Sequence, residues 1–198
     1  MSGKNWITLF AVGGLGLLLG AVIGRQIGVT VQPEQPSQPA EEPAQVANGL
    51  TLYGGNADAT DIETRLMVTL PNDLAPAAAL EQLATVMSRL EFCGLPIELV
   101  EIDGDTATIN LAEHPWQQDT ATPETLPGCA GASWRSWYFQ GSAGGLITSK
   151  TLTHTLLQPD ASGEWIDSIT FQYEGQPIAA DDWDHLTLSG VISRDRLP

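Results

Sequence analysis

Residues 139–158, FQGSAGGLITSKTLTHTLLQ, have the make-up of a helix with a marked start and a marked stop. Ser142 is the expected N-cap, because its hydroxyl can accept a hydrogen bond from an otherwise unpaired N–H of the first turn. Gly144 and Gly145 are poor helix formers, so packing must hold the opening turn. Leu146, Leu152 and Leu156, with Ile147 and Thr155 beside them, fall near one apolar stripe at helical spacing. Pro159 stops the helix and Asp160–Gly163 turns the chain. Trp165–Tyr173 follows, with Ile166, Ile169, Phe171 and Tyr173 prominent, and reads as a strand with one buried face closed at Glu174-Gly175.

Upstream, the sequence predicts strands at Leu50–Tyr53 and Arg65–Leu70, with the polar loop Gly54–Asp61 between them. A helix is expected over Pro76–Phe92, because Leu80, Leu83, Met87 and Leu90 share a face with Ala84. Pro76 fits its first turn, and Gly94 suits a left-handed C-terminal cap. Ile97–Ile102 and Thr106–Leu111 form a predicted hairpin, with the turn signal Asp103-Gly104 between them. His185–Ile192 alternates as a last strand. Grouped rather than strictly alternating elements predict an α+β domain, a mainly antiparallel sheet with two principal helices packed on one face.

This order of parts resembles the GerMN domain, a module of spore-germination and sporulation envelope proteins. Gly141-Ser142-Ala143-Gly144, Leu152-Thr153, Thr155-Leu156-Leu157-Gln158, Ile166, Ile169-Thr170-Phe171 and Gly175-Gln176-Pro177-Ile178 carry the resemblance, together with the hairpin Leu99–Leu111. The likeness spans about residues 50–180. It implies an accessory or scaffolding role at the cell wall, with an envelope protein or a cell-wall glycan as partner. The chain departs from the pattern in the insert Glu113–Ser133, in Cys93 and Cys129, and in the tail beyond Ile178.

Ahead of the domain, Trp6–Gly24 is apolar and free of charge, and it has the ~20-residue length of a bilayer-spanning helix. It exceeds the ~7–15-residue core of a cleaved signal peptide and lacks a good cleavage site after it. Residues 1–25 are therefore expected to be an uncleaved anchor, a single N-terminal transmembrane helix. Gly16, Gly20, Gly24 and Gly28 recur every fourth residue. That spacing either lets two membrane helices approach closely as a homo-oligomer or reflects how common glycine is in such helices. Residues 26–48 carry Pro33, Pro36, Pro39 and Pro43 among Gln, Glu and Ala, a composition that buries no core and reads as an extended linker. The folded domain is expected over 49–198, outside the cytoplasm (periplasm or cell surface), with the N-terminus cytoplasmic.

Charge narrows the partners. All 24 acidic residues follow Arg25; of the eight basic residues only Lys4 and Arg25 precede them, which leaves six basic groups and a formal −18 for the remainder. Such a body is repelled by nucleic-acid phosphates, so no nucleic-acid partner is expected. Cys93 and Cys129 are the only cysteines. In an oxidising compartment an even pair predicts a disulfide, here one that ties the insert to the end of the first helix.

No catalytic residue, cofactor or metal site emerges from the motifs. His114, His154 and His185 have no metal-ligand spacing, and Asp181–His185 lacks the turn glycine and terminal glutamate of a calcium loop. Gly141-Ser142 is not the G-x-S-x-G nucleophile elbow. Trp134, Trp137, Tyr138 and Phe139, in the run WRSWYF, are the candidate binding residues: either a platform for sugar rings or a partner, or core beneath the insert. The expected function is envelope binding or scaffolding; a wall-acting hydrolase and a structural subunit of a membrane oligomer are the alternatives.

Overall fold

The computed structural model describes residues 49–71, 74–114, 128–161 and 164–197. The expected anchor at 6–24, its glycines and the linker at 26–48 lie outside them. No helix among the described residues is long and apolar enough to cross a membrane.

Strands β1 (Gly49–Gly55) and β2 (Ile62–Thr69) form an antiparallel pair, and helix α1 (Pro76–Glu91) follows. Next come the hairpin strands β3 (Ile97–Asp103) and β4 (Thr106–Leu111), a π-helical turn (Trp134–Tyr138) and helix α2 (Ser142–Leu157). The chain closes with β5 (Ser168–Tyr173), the short strands β6 (Gln176–Pro177) and β7 (Ile192–Ser193), and a 3-10 turn (Arg194–Arg196). The fold is mixed α+β. The described residues form two sheets, β1-β2 and β3-β4-β5 with β6 and β7 both paired to β5. Every pairing is antiparallel except β4 with β5, which run parallel from Thr106↔Ser168 to Leu111↔Tyr173. A parallel pair needs a long crossover, and the insert, the π-helical turn and α2 supply it.

The strands alternate as a half-buried sheet must. Ala107, Ile109, Leu111, Ile169 and Phe171 join Leu80, Ala84 and Met87 of α1 and Leu152, Leu156 and Leu157 of α2 in one buried cluster. Between them Thr108 and Thr170 share a hydrogen bond on the other face, at 3.2 Å, and Asn110 donates to Glu98 at 3.0 Å.

Helix α2 departs from the simple stripe. Leu146 is 38% exposed, whereas Thr148, Ser149, Thr151, Thr153 and Thr155 are buried beside the leucines. The helix is enclosed on most sides, so its polar side chains must find partners inside the protein. Ser149 and Thr153 donate back to the carbonyls of Gly145 and Ser149, both at 2.8 Å, and Thr148 donates to the carbonyl of Tyr138 at 3.0 Å. Thr151 Oγ1 is buried without a hydrogen-bond partner, whereas Thr155 and Gln158 reach β1. Thr155 Oγ1 accepts the amide of Tyr53 at 3.1 Å, and Gln158 Oε1 accepts the amide of Thr51 at 2.7 Å. Gln158 Nε2 donates to the Thr51 carbonyl at 2.7 Å. The side-chain amide of Gln158 thus stands where a neighbouring strand's peptide group would stand. The edge of β1 that β2 leaves free is paired to α2.

Several expectations change. Ser142 is the first helical residue rather than the cap: Gly141 takes that place at φ 70°, without a side-chain cap bond, in a conformation that favours glycine. Leu90 is 55% exposed, off the buried face of α1. His185–Ile192 is not a strand. Leu186 and Leu188 are buried there, but the amide of Thr187 goes to Ser149 Oγ at 2.9 Å instead of to a ladder, and strand pairing begins only at Ile192. The hairpin turns one residue later than expected, with Gly104 at φ 59° after Asp103↔Thr106 closes the ladder.

Leu156 is fully buried among both helices and the sheet. Leu156→Ala is expected to cost about 2–5 kcal/mol, the range for a deleted core leucine. Equilibrium urea unfolding measures it, and a loss within ~0.5 kcal/mol would show that α2 is not the centre of the core.

Candidate functional site

The run WRSWYF separates into core and surface. Trp134 has no exposed area and Phe139 is 2% exposed; Tyr138 is half-buried, and Trp137 is 48% exposed. Trp134 packs against Phe92 at 4.8 Å between ring centroids and against Phe139 at 5.7 Å, and Trp137 stacks on Tyr138 at 6.2 Å. Three of the four candidate rings thus build the wall on which the fourth rests. Burial, with Glu91 nearby, pushes the Tyr138 hydroxyl up to about 12, so it stays protonated.

A carboxylate shapes this turn. Glu113 Oε1 accepts from Ser133 Oγ at 2.8 Å, the Arg135 amide at 3.0 Å and the Tyr173 hydroxyl at 3.0 Å, while Oε2 accepts from the Trp134 amide at 3.3 Å. The Trp134 indole N–H donates to the Ala112 carbonyl at 3.0 Å. The amides of Trp134 and Arg135 open a helical turn and have no partner within it, so a carboxylate there acts as a cap with the favoured sign of charge. Ser133 adds a second cap, accepting the Ser136 amide at 3.1 Å. Burial and the neighbouring Glu113 carboxylate raise the Tyr173 hydroxyl, which keeps it a donor. Cys93 and Cys129 form a disulfide with a Cα–Cα distance of 5.5 Å across a separation of 36 residues. It joins the end of α1 to the chain just ahead of the capped turn. Nothing local in the sequence marks Glu113, because its partners lie 20 to 60 residues away.

Beyond Phe139 the aromatic wall continues into the acidic segment Asp181–His185. Trp183 meets Phe139 at 4.8 Å and Tyr173 at 5.5 Å, both edge to face. A cleft of about 330 Å³ opens beside it, lined by Phe139, Gln140, Gly141, Asp182, Trp183, Asp184 and His185. Trp183 is half-buried, and Gln140, Asp182, Asp184 and His185 are exposed.

A second cleft, of about 450 Å³, lies where α2 meets the β1–β2 turn, with Tyr53, Asp61, Lys150, His154 and Asp160 on its walls. Lys150 Nζ pairs with Asp61 Oδ1 at 2.8 Å, and the Tyr53 hydroxyl donates to Asp160 at 3.1 Å. The Tyr53 and His154 rings meet edge to face at 5.6 Å. His154 Nε2 is buried without a hydrogen-bond partner, which favours the uncharged imidazole. Burial, and then Lys150, lower its tendency to take a proton, against the pull of Asp61 and Asp160. Lys150 and the amide of Ile62 hold Asp61 ionised below the usual carboxylate range. Among the described residues no three His, Cys, Asp or Glu side chains are grouped to hold a metal ion.

No family model, curated protein or solved structure matches this chain.

Two predictions follow from these contacts. Glu113→Ala should destabilise the domain by roughly 2 kcal/mol, because the part-buried donors of Ser133, Trp134 and Tyr173 lose a charged acceptor. It should also change the near-ultraviolet circular dichroism of the packed tryptophans; wild-type stability and spectrum would contradict the capping role. For His154 the sign is set by its lowered folded-state affinity for a proton. Below about pH 6.5 the unfolded chain takes up a proton that the folded chain refuses, so stability falls with pH from that point. Melting curves from pH 7 to 5 should show this fall in the wild type and less of it in His154→Gln; equal slopes would contradict it.

Proposed function

We propose that this chain is a membrane-tethered, GerMN-type domain of the bacterial envelope that works outside the cytoplasm by binding rather than by turnover. The Cys93–Cys129 disulfide carries the reading, since such bridges persist in oxidising compartments and are rare in reducing ones. The charge-free run 6–24 supports an anchor with the N-terminus inside, and the prolines of 26–48 support a stalk that holds the domain off the membrane. Gly16, Gly20 and Gly24 give the anchor a small-residue face for pairing with a second copy. The binding surface lies beside the aromatic wall, where Trp137 and the Trp183 cleft are open to solvent. The partner is an envelope protein or a cell-wall glycan.

The hydrolase alternative draws on one observation. The cleft at His154 gathers an uncharged imidazole with two carboxylates, an amine and a phenol, and perturbed titratable groups in a cleft are candidates for acid–base work.

Full-length protein in its own membrane tests the proposal. A photo-crosslinking residue in place of Trp137, combined with thiol labelling, should give a membrane-bound chain with no free thiols and a crosslink to an envelope component. A soluble mature chain starting near Arg25, or freely labelled Cys93 and Cys129, would contradict the anchored, exported form. Release of fragments from purified wall material, abolished by His154→Gln, would decide for the hydrolase.

A further inference from the structure

The segment from Ile178 to Leu188 has almost no regular structure, yet it is fixed at many points. The Ile178 amide donates to the Phe171 carbonyl at 3.2 Å, and the Ala179 amide to Asp182 Oδ2 at 2.7 Å. Thr187 is tied to Ser149 on α2, and Leu186 and Leu188 are buried. At Gly145 the loop backbone lies so close that an added Cβ would stand 2.9 Å from the His185 carbonyl oxygen. The glycine at that helix position therefore serves the approach of this loop. A loop held so firmly presents its side chains in a set arrangement and loses little conformational entropy when a ligand arrives.

What it presents is an indole set among planar polar groups. Among the described tryptophans, Trp134 and Trp165 give their indole N–H to backbone carbonyls, at 3.0 and 2.7 Å. Trp183 gives its N–H to no protein acceptor among the described residues. Gln140 uses its Nε2 on the Arg135 carbonyl at 2.7 Å, which leaves its Oε1 as an acceptor. Asp184 has no hydrogen bond or ion pair among the described residues and brings two carboxylate oxygens; His185 adds a ring nitrogen of either role. The cleft volume sits at the small end of the ~300–1,000 Å³ range of ligand sites.

We propose that this cleft binds a neutral saccharide, with one ring laid against Trp183 and its hydroxyl or N-acetyl groups bonded to the Trp183 N–H, Gln140, Asp184 and His185. A sugar ring has an apolar C–H face and a polar equator, and the cleft offers an aromatic surface with donors and acceptors around it. Every hydroxyl both donates and accepts, so a carboxylate and an N–H donor in one site each find a counterpart. Asp182, Asp184 and the −18 body disfavour acidic sugars, which leaves neutral and cationic ones for the titration to separate. This inference rests on the reading of the domain as a binding module, and it moves the ligand contact from Trp137 to Trp183.

The test is isothermal titration of the full-length protein in neutral detergent with tetra-N-acetylchitotetraose, and with the deacetylated cationic tetramer for comparison. Binding of the acetylated probe is expected. Asp184→Ala, at an exposed side chain without a partner among the described residues, should weaken it about tenfold, and Trp183→Phe, which keeps a ring but removes the N–H, by a similar factor. Val100→Ala, at an exposed position of β3 away from the cleft, should leave it unchanged. Unchanged far-ultraviolet circular dichroism and melting temperature of Asp184→Ala exclude misfolding as the cause. Salt-sensitive binding of the deacetylated tetramer alone would overturn the neutral-sugar assignment in favour of a cation site. Binding lost only in Trp137→Ala would overturn the placement and leave the binding function standing. No binding of either probe, with a Trp137 crosslink to an envelope protein intact, would overturn the saccharide and leave the proposed function. Failure of both titration and crosslink would remove the two together.

Discussion

The free edge of β1 is paired to side chains rather than to a strand, and much of the rest follows from that. A two-stranded sheet is marginal alone, and its open edge exposes unpaired amides and carbonyls. Here α2 completes it: Thr155 takes the Tyr53 amide, and Gln158 takes both the amide and the carbonyl of Thr51. Gln158 reaches that position because it ends the helix in the left-handed conformation, at φ 49° and ψ 63°. The helix can spend polar residues in this way because it is enclosed on most of its circumference. A helix with one solvated face would have turned Thr151, Thr153 and Thr155 outward.

The same helix begins at the aromatic turn, so what fixes that turn also fixes the helix start. Glu113 and Ser133 cap the turn, Cys93–Cys129 ties the preceding chain to α1, and Thr148 binds α2 back to Tyr138. The insert thus leaves β4 and returns at one place, and the carboxylate that it leaves from caps the residues to which it returns. Trp134 and Phe139 are spent on this core. Their neighbours Trp137 and Trp183 remain available to solvent and border the surface where binding is proposed.

Elements with strong local patterns were legible in the sequence. The first helix was expected over 76–92 and spans Pro76–Glu91, and the hairpin strands were expected within a residue of where they lie. The disulfide followed from a lone pair of cysteines. What escaped depends on distant partners. Ser142 looks like a cap, but Gly141 reaches a backbone conformation that Ser142 need not adopt. The alternation in His185–Ile192 reflects burial of Leu186 and Leu188 without strand pairing, since Ser149 takes the intervening amide. Within the candidate site, WRSWYF was visible as an aromatic patch, yet its division between core and surface was not. Trp183 was hidden among aspartates, because local composition reports solvation and not the aromatic wall behind it.

Amide hydrogen exchange at Thr51 and Tyr53 tests most directly whether α2 organises the domain. Both amides face away from β2, so without α2 they would exchange as freely as an exposed turn amide such as that of Gly104. Pairing to Gln158 and Thr155 predicts protection close to that of the interior of α2, with Gln158→Ala releasing Thr51 while Tyr53 stays slow. Rapid exchange of both amides in the wild-type protein would contradict the account.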